Sequence, residues 1–233
     1  MTRRLRLSAS ALKLIGAAAM LCDHLCVILL PGQLWLRYIG RLSMPIFAFF
    51  IAEGMRRTSD RGRYILRITA VGAVCQAAYL IAGGDPLYMN ILLTYALACA
   101  LIAAADPLLK GRRGRGDIIA AVIAVAAAGA LLCLLDFSYG VWAVLVISAA
   151  YFVPRLELRL AAMLVVLTVY SAVCASDGYA YQIFSLASLP LIALYRGDRG
   201  MKLPRYFFYI FYPAHLALLW IIRYAIIFKN SFM

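Results

Sequence analysis

The sequence predicts an all-α fold, a polytopic bundle of about nine membrane-spanning helices. Three observations carry the prediction. The chain has 233 residues, 66% of them hydrophobic, with a mean hydropathy of +0.90, whereas soluble domains are only about half apolar. The apolar residues come in runs of roughly 20, the length a helix needs to cross about 30 Å of hydrocarbon. The runs also lack the period-two alternation of a barrel strand. With no water to satisfy the backbone, hydrocarbon then leaves the helix as the spanning structure.

The first run, 11–30, follows Arg3, Arg4 and Arg6. It imitates a signal peptide, but Met20 and Leu21 precede Cys22 where cleavage needs small residues, so the segment is expected to persist as the first span. The second run, 35–55, contains Pro45, whose missing N–H frees the carbonyl of Arg41 and bends the helix. The third and fourth cover 64–83 and 87–105, the fourth opening with Asn90 and with Thr94 one turn on. The fifth is 117–135 and the seventh 156–174. The sixth and eighth, 140–154 and 180–195, are short for the bilayer and are expected to be re-entrant or embedded in protein. The ninth, 206–228, contains Pro213, which frees the carbonyl of Tyr209. No linker, repeat or low-complexity tract divides 1–233, so one integral-membrane domain is expected, with 110–116 a short solvated loop. The cysteines, at 22, 26, 75, 99, 133 and 174, all fall in apolar runs and read as small buried hydrophobes rather than a disulfide framework.

The net charge of +13 invites a nucleic-acid reading, but the placement of the charges gives a better account. With nine spans, the tail (Arg3, Arg4, Arg6, Lys13) and the loops holding Arg56, Arg57, Arg61, Arg63 and Arg67, then Lys110, Arg112, Arg113 and Arg115, then Arg155 and Arg159, then Arg196, Arg199, Lys202 and Arg205 all lie on one side. Only Arg37, Arg41, Arg223 and Lys229 of the 23 basic residues fall elsewhere. The positive-inside rule places the N-terminus in the cytoplasm and the C-terminus outside, in a multi-pass protein of the cytoplasmic (inner) membrane, without a nucleic-acid partner.

An ionisable group inside a span is costly and marks a functional site by default. The first span carries Asp23 and His24, the second Arg41 and, near its inner end, Glu53, and the ninth His215 and Arg223. His24 and His215 are the only histidines, both near mid-depth. If the first and ninth spans are neighbours, the two can line one cavity. Histidine titrates near neutrality and suits a general base that takes a proton from an amine or hydroxyl. Asp23 either fixes the tautomer of a histidine or is neutralised by Arg41. Arg41 and Arg223 are candidates to hold an anionic group, although Arg223 also fits a snorkelling residue. Glu53 beside Arg56 and Arg57 also fits an interfacial ion pair. Tyr212 and its neighbours fit an aromatic belt. Cys22, Asp23, His24 and Cys26 diverge around the helix axis, so no metal is expected. The sequence has no phosphate loop, dinucleotide fingerprint, zinc-protease motif or Gly-x-Ser-x-Gly elbow.

At these same residues the chain resembles a known family. Leu12-Lys13-Leu14-Ile15 through Met20-Leu21-Cys22-Asp23-His24, Ile39-Gly40-Arg41-Leu42-Ser43-Met44-Pro45-Ile46-Phe47-Ala48-Phe49, Ala52-Glu53-Gly54-Met55 with Thr58, Tyr64-Ile65-Leu66-Arg67, Asn90-Ile91-Leu92-Leu93-Thr94 and Tyr209-Ile210-Phe211-Tyr212-Pro213-Ala214-His215-Leu216 resemble the TraX family, named for the F-pilin acetylation protein. The likeness is strongest at the two ends and weakest from 110 to 180. It implies an acetyltransferase related to the larger membrane acyltransferase superfamily. Acetyl-CoA would be the cytoplasmic donor, and a pilin N-terminus or another amine or hydroxyl the acceptor. On that reading His24 is the base, and Asp23 or Glu53 orients it or relays its proton. Arg41, Asn90 or Tyr212 would meet the oxyanion, and His215 would be a second acid/base or a substrate ligand. The arginine-rich cytoplasmic loops suit the phosphates of CoA.

Two other classes fit the same residues. A bis-histidine haem protein would use His24 and His215 as axial ligands, and a proton-coupled transporter would use the buried charges as a relay. The orientation is tested by a C-terminal reporter active only in the cytoplasm, which is expected to stay silent, while one fused after Arg57 is expected to be active.

Overall fold

The computed structural model describes residues 6–111, 114–204 and 206–230. Arg3, Arg4, Arg112, Arg113 and Arg205 of the charges counted above lie outside the described residues, as does the side chain of Lys229. The helices are α1 (Ala9–Ile28), α2 (Leu34–Gly40), α3 (Ser43–Arg57), α4 (Arg61–Ile81), α5 (Ile91–Leu109), α6 (Arg115–Leu134), α7 (Gly140–Phe152), α8 (Leu156–Ser176), a 3-10 segment (Ala180–Ala187), α9 (Ser188–Ala193) and α10 (Phe207–Asn230). Two strands of two residues, β1 (Tyr88–Met89) and β2 (Asp136–Phe137), pair in parallel. The chain is nearly all-α, and among the described residues seven segments are long and apolar enough to cross a membrane: α1, α2 with α3, α4, α5, α6, α8 and α10. The two expected short runs are α7 and the 3-10 segment with α9. At about 2.0 Å per residue the 3-10 turns make the latter longer than an α-helix of equal length, roughly 25 Å in all.

The helix starts are set by local side chains. Ser8 Oγ accepts from the Ala11 N–H at 3.3 Å, Asp60 Oδ1 from Arg63 N–H at 2.9 Å and Asn90 Oδ1 from Leu92 N–H at 3.1 Å, each satisfying an orphan donor of a first turn. The second span differs from the expected bend at Pro45. It breaks at Arg41–Leu42 instead, which leaves the proline in the first turn of α3, where its missing N–H removes no helical bond.

The chain divides into two compact units, and the boundaries fall inside α3 and α8, where the sequence offers no linker. The first comprises residues up to Phe47 and from Leu167 onward. Here α1 packs on α2 and on α10, and α2 packs on the 3-10 segment. The first and ninth spans are therefore neighbours, as a histidine-lined cavity requires. At the start of α1 the loop after α9 closes over the helix, with Ala9 N–H donating to Asp198 O at 2.8 Å and Ser10 N–H to Arg199 O at 3.1 Å.

The second unit, Ala48–Val166, is built on α5, which packs against α4, α6 and α7. Buried Asp106 accepts from Arg61 and from Tyr151 Oη, each at 2.9 Å, and pairs with Lys110. Ile118, Ile119, Val122, Ile123 and Val125 of α6 are exposed, as expected of a helix whose solvent is lipid. Glu53 lies between Arg159 at 2.7 Å and Arg57 at 2.8 Å. Arg159 is buried, so removing its carboxylate leaves an uncompensated charge. Glu53→Ala is expected to cost about 3 kcal/mol, whereas replacing both Glu53 and Arg159 by leucine recovers most of the loss. Unfolding midpoints of the three detergent-solubilised proteins check this.

Candidate functional site

The two histidines meet. Nδ1 of His24, on α1, is 2.7 Å from Nε2 of His215, on α10, with the rings stacked at a centroid distance of 5.0 Å. Nδ1 of His215 lies 2.6 Å from the carbonyl oxygen of Phe211, one turn earlier on the same helix. A carbonyl only accepts, so His215 Nδ1 carries a proton. In a neutral His215 ring Nε2 is then an acceptor, and His24 Nδ1 must donate to it. The remaining nitrogen, His24 Nε2, is left with a lone pair. Hydrogen bonding thus fixes both tautomers and turns the basic nitrogen of the pair to His24. His24 is half-buried and His215 is buried, so the accessible ring carries the lone pair and the sequestered ring holds it. Tyr212 stands edge-on to both, at 6.4 Å from His24 and 5.9 Å from His215.

Asp23 does not share this arrangement. Its carboxylate is divided between two guanidinium groups, Oδ1 paired with Arg41 and Oδ2 with Arg37 at 3.3 Å. Arg37 also donates to Tyr181 Oη at 3.0 Å and Arg41 to Gln182 Oε1 at 3.2 Å. The Tyr181 ring lies 5.2 Å from the Arg37 guanidinium carbon and 5.5 Å from that of Arg41, within cation–π range of both. α2 approaches α1 closely here because residue 40 is glycine; a Cβ there would lie 2.5 Å from Asp23 Oδ1. The question of whether Asp23 serves His24 or Arg41 is answered for Arg41, with Arg37 as a second partner.

The structure places the other predicted residues apart from the dyad's hydrogen bonds. Glu53 belongs to the second unit and is engaged by Arg159 and Arg57. Asn90, in the same unit, caps α5, and its Nδ2 donates to Gly72 O at 2.8 Å and Gln76 Oε1 at 3.0 Å. Arg223 donates to the carbonyl of Ile28, in the last turn of α1, at 3.2 Å and lies over the Trp220 ring. That carbonyl is one of the four a helix end leaves unpaired, so Arg223 ties α10 to the end of α1. Orientation of His24 therefore falls to His215 rather than to Asp23 or Glu53.

Arg37, Tyr181 and Gln182 were not read from the sequence as site residues. Arg37 and Arg41 are four residues apart, a spacing that puts both on one helix face and could have linked them. Gln182, a polar residue inside an apolar run, is the signal that could have drawn attention to the eighth segment. The bis-histidine haem reading does not fit the observed geometry. Two imidazole nitrogens on one metal stand about 4 Å apart, twice a metal–nitrogen bond of about 2 Å, whereas here they are in direct hydrogen-bond contact.

The family model described as TraX protein matches residues 8–223. The chain belongs to the TraX family. It is 26% identical over 247 residues to a probable fimbrial assembly protein, FimC of serogroup H1, from Dichelobacter nodosus, covering 94% of this chain and 97% of that protein. It is 28% identical over 216 residues to protein TraX of Escherichia coli, covering 89% of this chain and 84% of that one. No solved structure matches. The TraX resemblance read from the two ends of the chain is borne out, and those ends supply the helices that hold the dyad.

The tautomer assignment is open to measurement. Nitrogen NMR of histidine-labelled protein is expected to show Nδ1–H on both rings and an unprotonated Nε2 on His24. A proton on His24 Nε2 in the neutral pair would show the hydrogen bond running the other way.

Proposed function

We propose that this protein is a membrane-embedded acetyltransferase, a relative of the larger membrane acyltransferase superfamily. It moves an acetyl group from cytoplasmic acetyl-CoA to an amine or hydroxyl, such as a pilin N-terminus or an envelope or small-molecule acceptor, with His24 as general base. The observation that carries the reading is the hydrogen-bonded His24–His215 pair, whose free lone pair on His24 Nε2 is the group such a reaction needs. The family membership and the name of the fimbrial assembly relative support an acceptor connected with pili.

In this reaction His24 Nε2 takes the proton of the acceptor N–H or O–H as that atom attacks the thioester carbonyl. The resulting imidazolium keeps its Nδ1–H on His215, whose own Nδ1–H is anchored on Phe211, so His215 accepts throughout and holds the ring. The tetrahedral oxyanion is met by donors, with Arg41 and Tyr212 as the candidates in the same unit. Its collapse breaks the C–S bond, and the CoA thiolate leaves with the proton that His24 took, which restores the base. The donor's phosphates suit the cytoplasmic basic residues, among them Arg196, Arg199 and Lys202 in the segment around the start of α1. From Ala9 to His24 the helix rises about 22 Å, the depth to which the thioester has to reach. With a cytoplasmic donor, the protein belongs to the cytoplasmic membrane on this reading.

The test is incubation of membranes with labelled acetyl-CoA, followed by identification of what becomes labelled. His24→Ala is expected to lower transfer by about 10²–10⁴-fold while leaving a monodisperse, detergent-stable protein. His215→Gln, which keeps an acceptor near the same place, is expected to retain more activity than His215→Ala. Full activity in His24→Ala would refute the assignment.

A further inference from the structure

The 3-10 segment is amphipathic in the sense opposite to a surface helix. Its residues three apart eclipse one another, so Gln182, Ser185 and the following Ser188 form one stripe. They are 2%, 0% and 0% exposed, while Ile183 and Phe184 beside them are 55% and 44% exposed. The polar stripe faces the interior of the first unit and the apolar side faces outward, as lipid would require. Ser188 Oγ is satisfied by donating to Ser185 O at 2.6 Å. Two groups of the stripe are not satisfied. Among the described residues, neither Gln182 Nε2 nor Ser185 Oγ has a hydrogen-bond partner. A buried donor without an acceptor costs roughly 1–3 kcal/mol.

The same place carries excess positive charge. Asp23 compensates one of the two guanidinium groups that converge on it, which leaves one positive charge beside Gln182. Besides Asp23, the two cations meet dipoles and a ring face: Tyr181 Oη, Gln182 Oε1 and the Tyr181 ring. In a low-dielectric setting such a charge is strongly drawn to an anion. A bound group that accepts hydrogen bonds and carries negative charge would satisfy the buried amide, the hydroxyl and the cation together. Arg37 is the entry point, with its side chain 22% exposed.

We infer that Arg37, Arg41, Gln182 and Ser185 form a subsite for an anionic oxygen group, a carboxylate or a phosphate. On the acetyltransferase reading, on which this assignment of the ligand rests, the group belongs to the acceptor. Asp23 and His24 are consecutive on α1; their side chains diverge around the axis, but Asp23, Arg41 and Arg37 all lie within electrostatic range of the His24 ring. An acceptor anchored by its anion at the arginines brings its amine or hydroxyl alongside the base. The enzyme therefore selects acceptors with a negative charge close to the acetylated atom. Asp23 sets the strength of the subsite: it holds the two guanidinium groups in place and leaves one positive charge rather than two.

The test reads Arg37 directly. Full-length protein in phosphatidylcholine nanodiscs is treated with phenylglyoxal, and modification of Arg37 is followed by peptide mass spectrometry. Inorganic phosphate is expected to slow that modification about tenfold relative to chloride at equal ionic strength, the scale of one charge-assisted contact. The protection is expected to weaken in Ser185→Ala, which removes an unpartnered hydroxyl and no bond, and to be lost in Gln182→Leu. Protection by phosphate in these discs assigns the anion to a soluble acceptor. Protection seen only when phosphatidylglycerol replaces part of the phosphatidylcholine assigns it to a lipid-borne one. Equal reactivity of Arg37 with phosphate, chloride and either lipid overturns the subsite, as does undiminished protection in Gln182→Leu. Acetyl transfer with an unprotected Arg37 removes the subsite alone, and protection without any acetyl transfer removes the acetyltransferase reading alone.

Discussion

A carboxylate placed in the middle of a hydrocarbon-spanning helix has to be paired, and the pairing of Asp23 with Arg37 and Arg41 organises the first unit. An unpaired charge at that depth costs several kcal/mol even on insertion scales. The carboxylate is met by cations from the neighbouring α2, and these in turn draw Tyr181 and Gln182 of the 3-10 segment into the same cluster. Two neighbouring helices and a segment 141 to 144 residues further along are thereby held together around one negative charge. Gly40 allows it, because a side chain at that position would occupy the space of the carboxylate. The cost of ionisation is offset locally, and the cluster fixes the face of α1 on which His24 is presented.

The second unit obeys the same rule with different residues. Glu53 is held by Arg159 and Arg57, and Asp106 by Arg61, Lys110 and Tyr151. Asn90 spends its amide on Gly72 and Gln76 and its oxygen on the start of α5. Among the described residues of this unit, these polar groups close on one another. Arg41, Asp23 and the dyad differ because the first unit contains a ring nitrogen with a free lone pair. Burial of a polar residue in a span therefore marks both chemistry and construction, and the pattern of partners separates the two.

That distinction explains what could be read from the sequence. Spans follow from hydrophobicity and length, which are local, and they came out as nine apolar runs of which two are short. The histidines were legible because each is isolated in an apolar run. Their meeting depended on α1 and α10 being neighbours, which the odd span count and charge placement only suggested. The partner of Asp23 was legible to within one turn, since Arg41 was named and Arg37 shares its helix face. The roles of Glu53 and Asn90 were not. A carboxylate near a span end looks the same in sequence whether its partner is a histidine or Arg159, which lies 106 residues further along. Nor does a sequence record that the segment after α8 tightens into 3-10 turns, on which the alignment of Gln182 with Ser185 depends.

Replacing a carboxylate by a second imidazole as the group that orients the base changes the electrostatics of the site. In a Ser-His-Asp arrangement the buried anion stabilises the imidazolium that forms during reaction. His215 supplies a lone pair without a charge, and the nearby net charge of the Asp23 cluster is positive rather than negative. The hydrogen bonds that His24 Nδ1 makes to His215 and His215 Nδ1 makes to Phe211 leave the Nε2 lone pair of His24 free. On the proposed reading the compensating negative charge arrives with the ligand: an anion seated at Arg37 and Arg41 balances the excess charge of the Asp23 cluster. On that reading one electrostatic balance joins the two parts of the first unit: the cluster holds the anion, and the dyad beside it presents the lone pair.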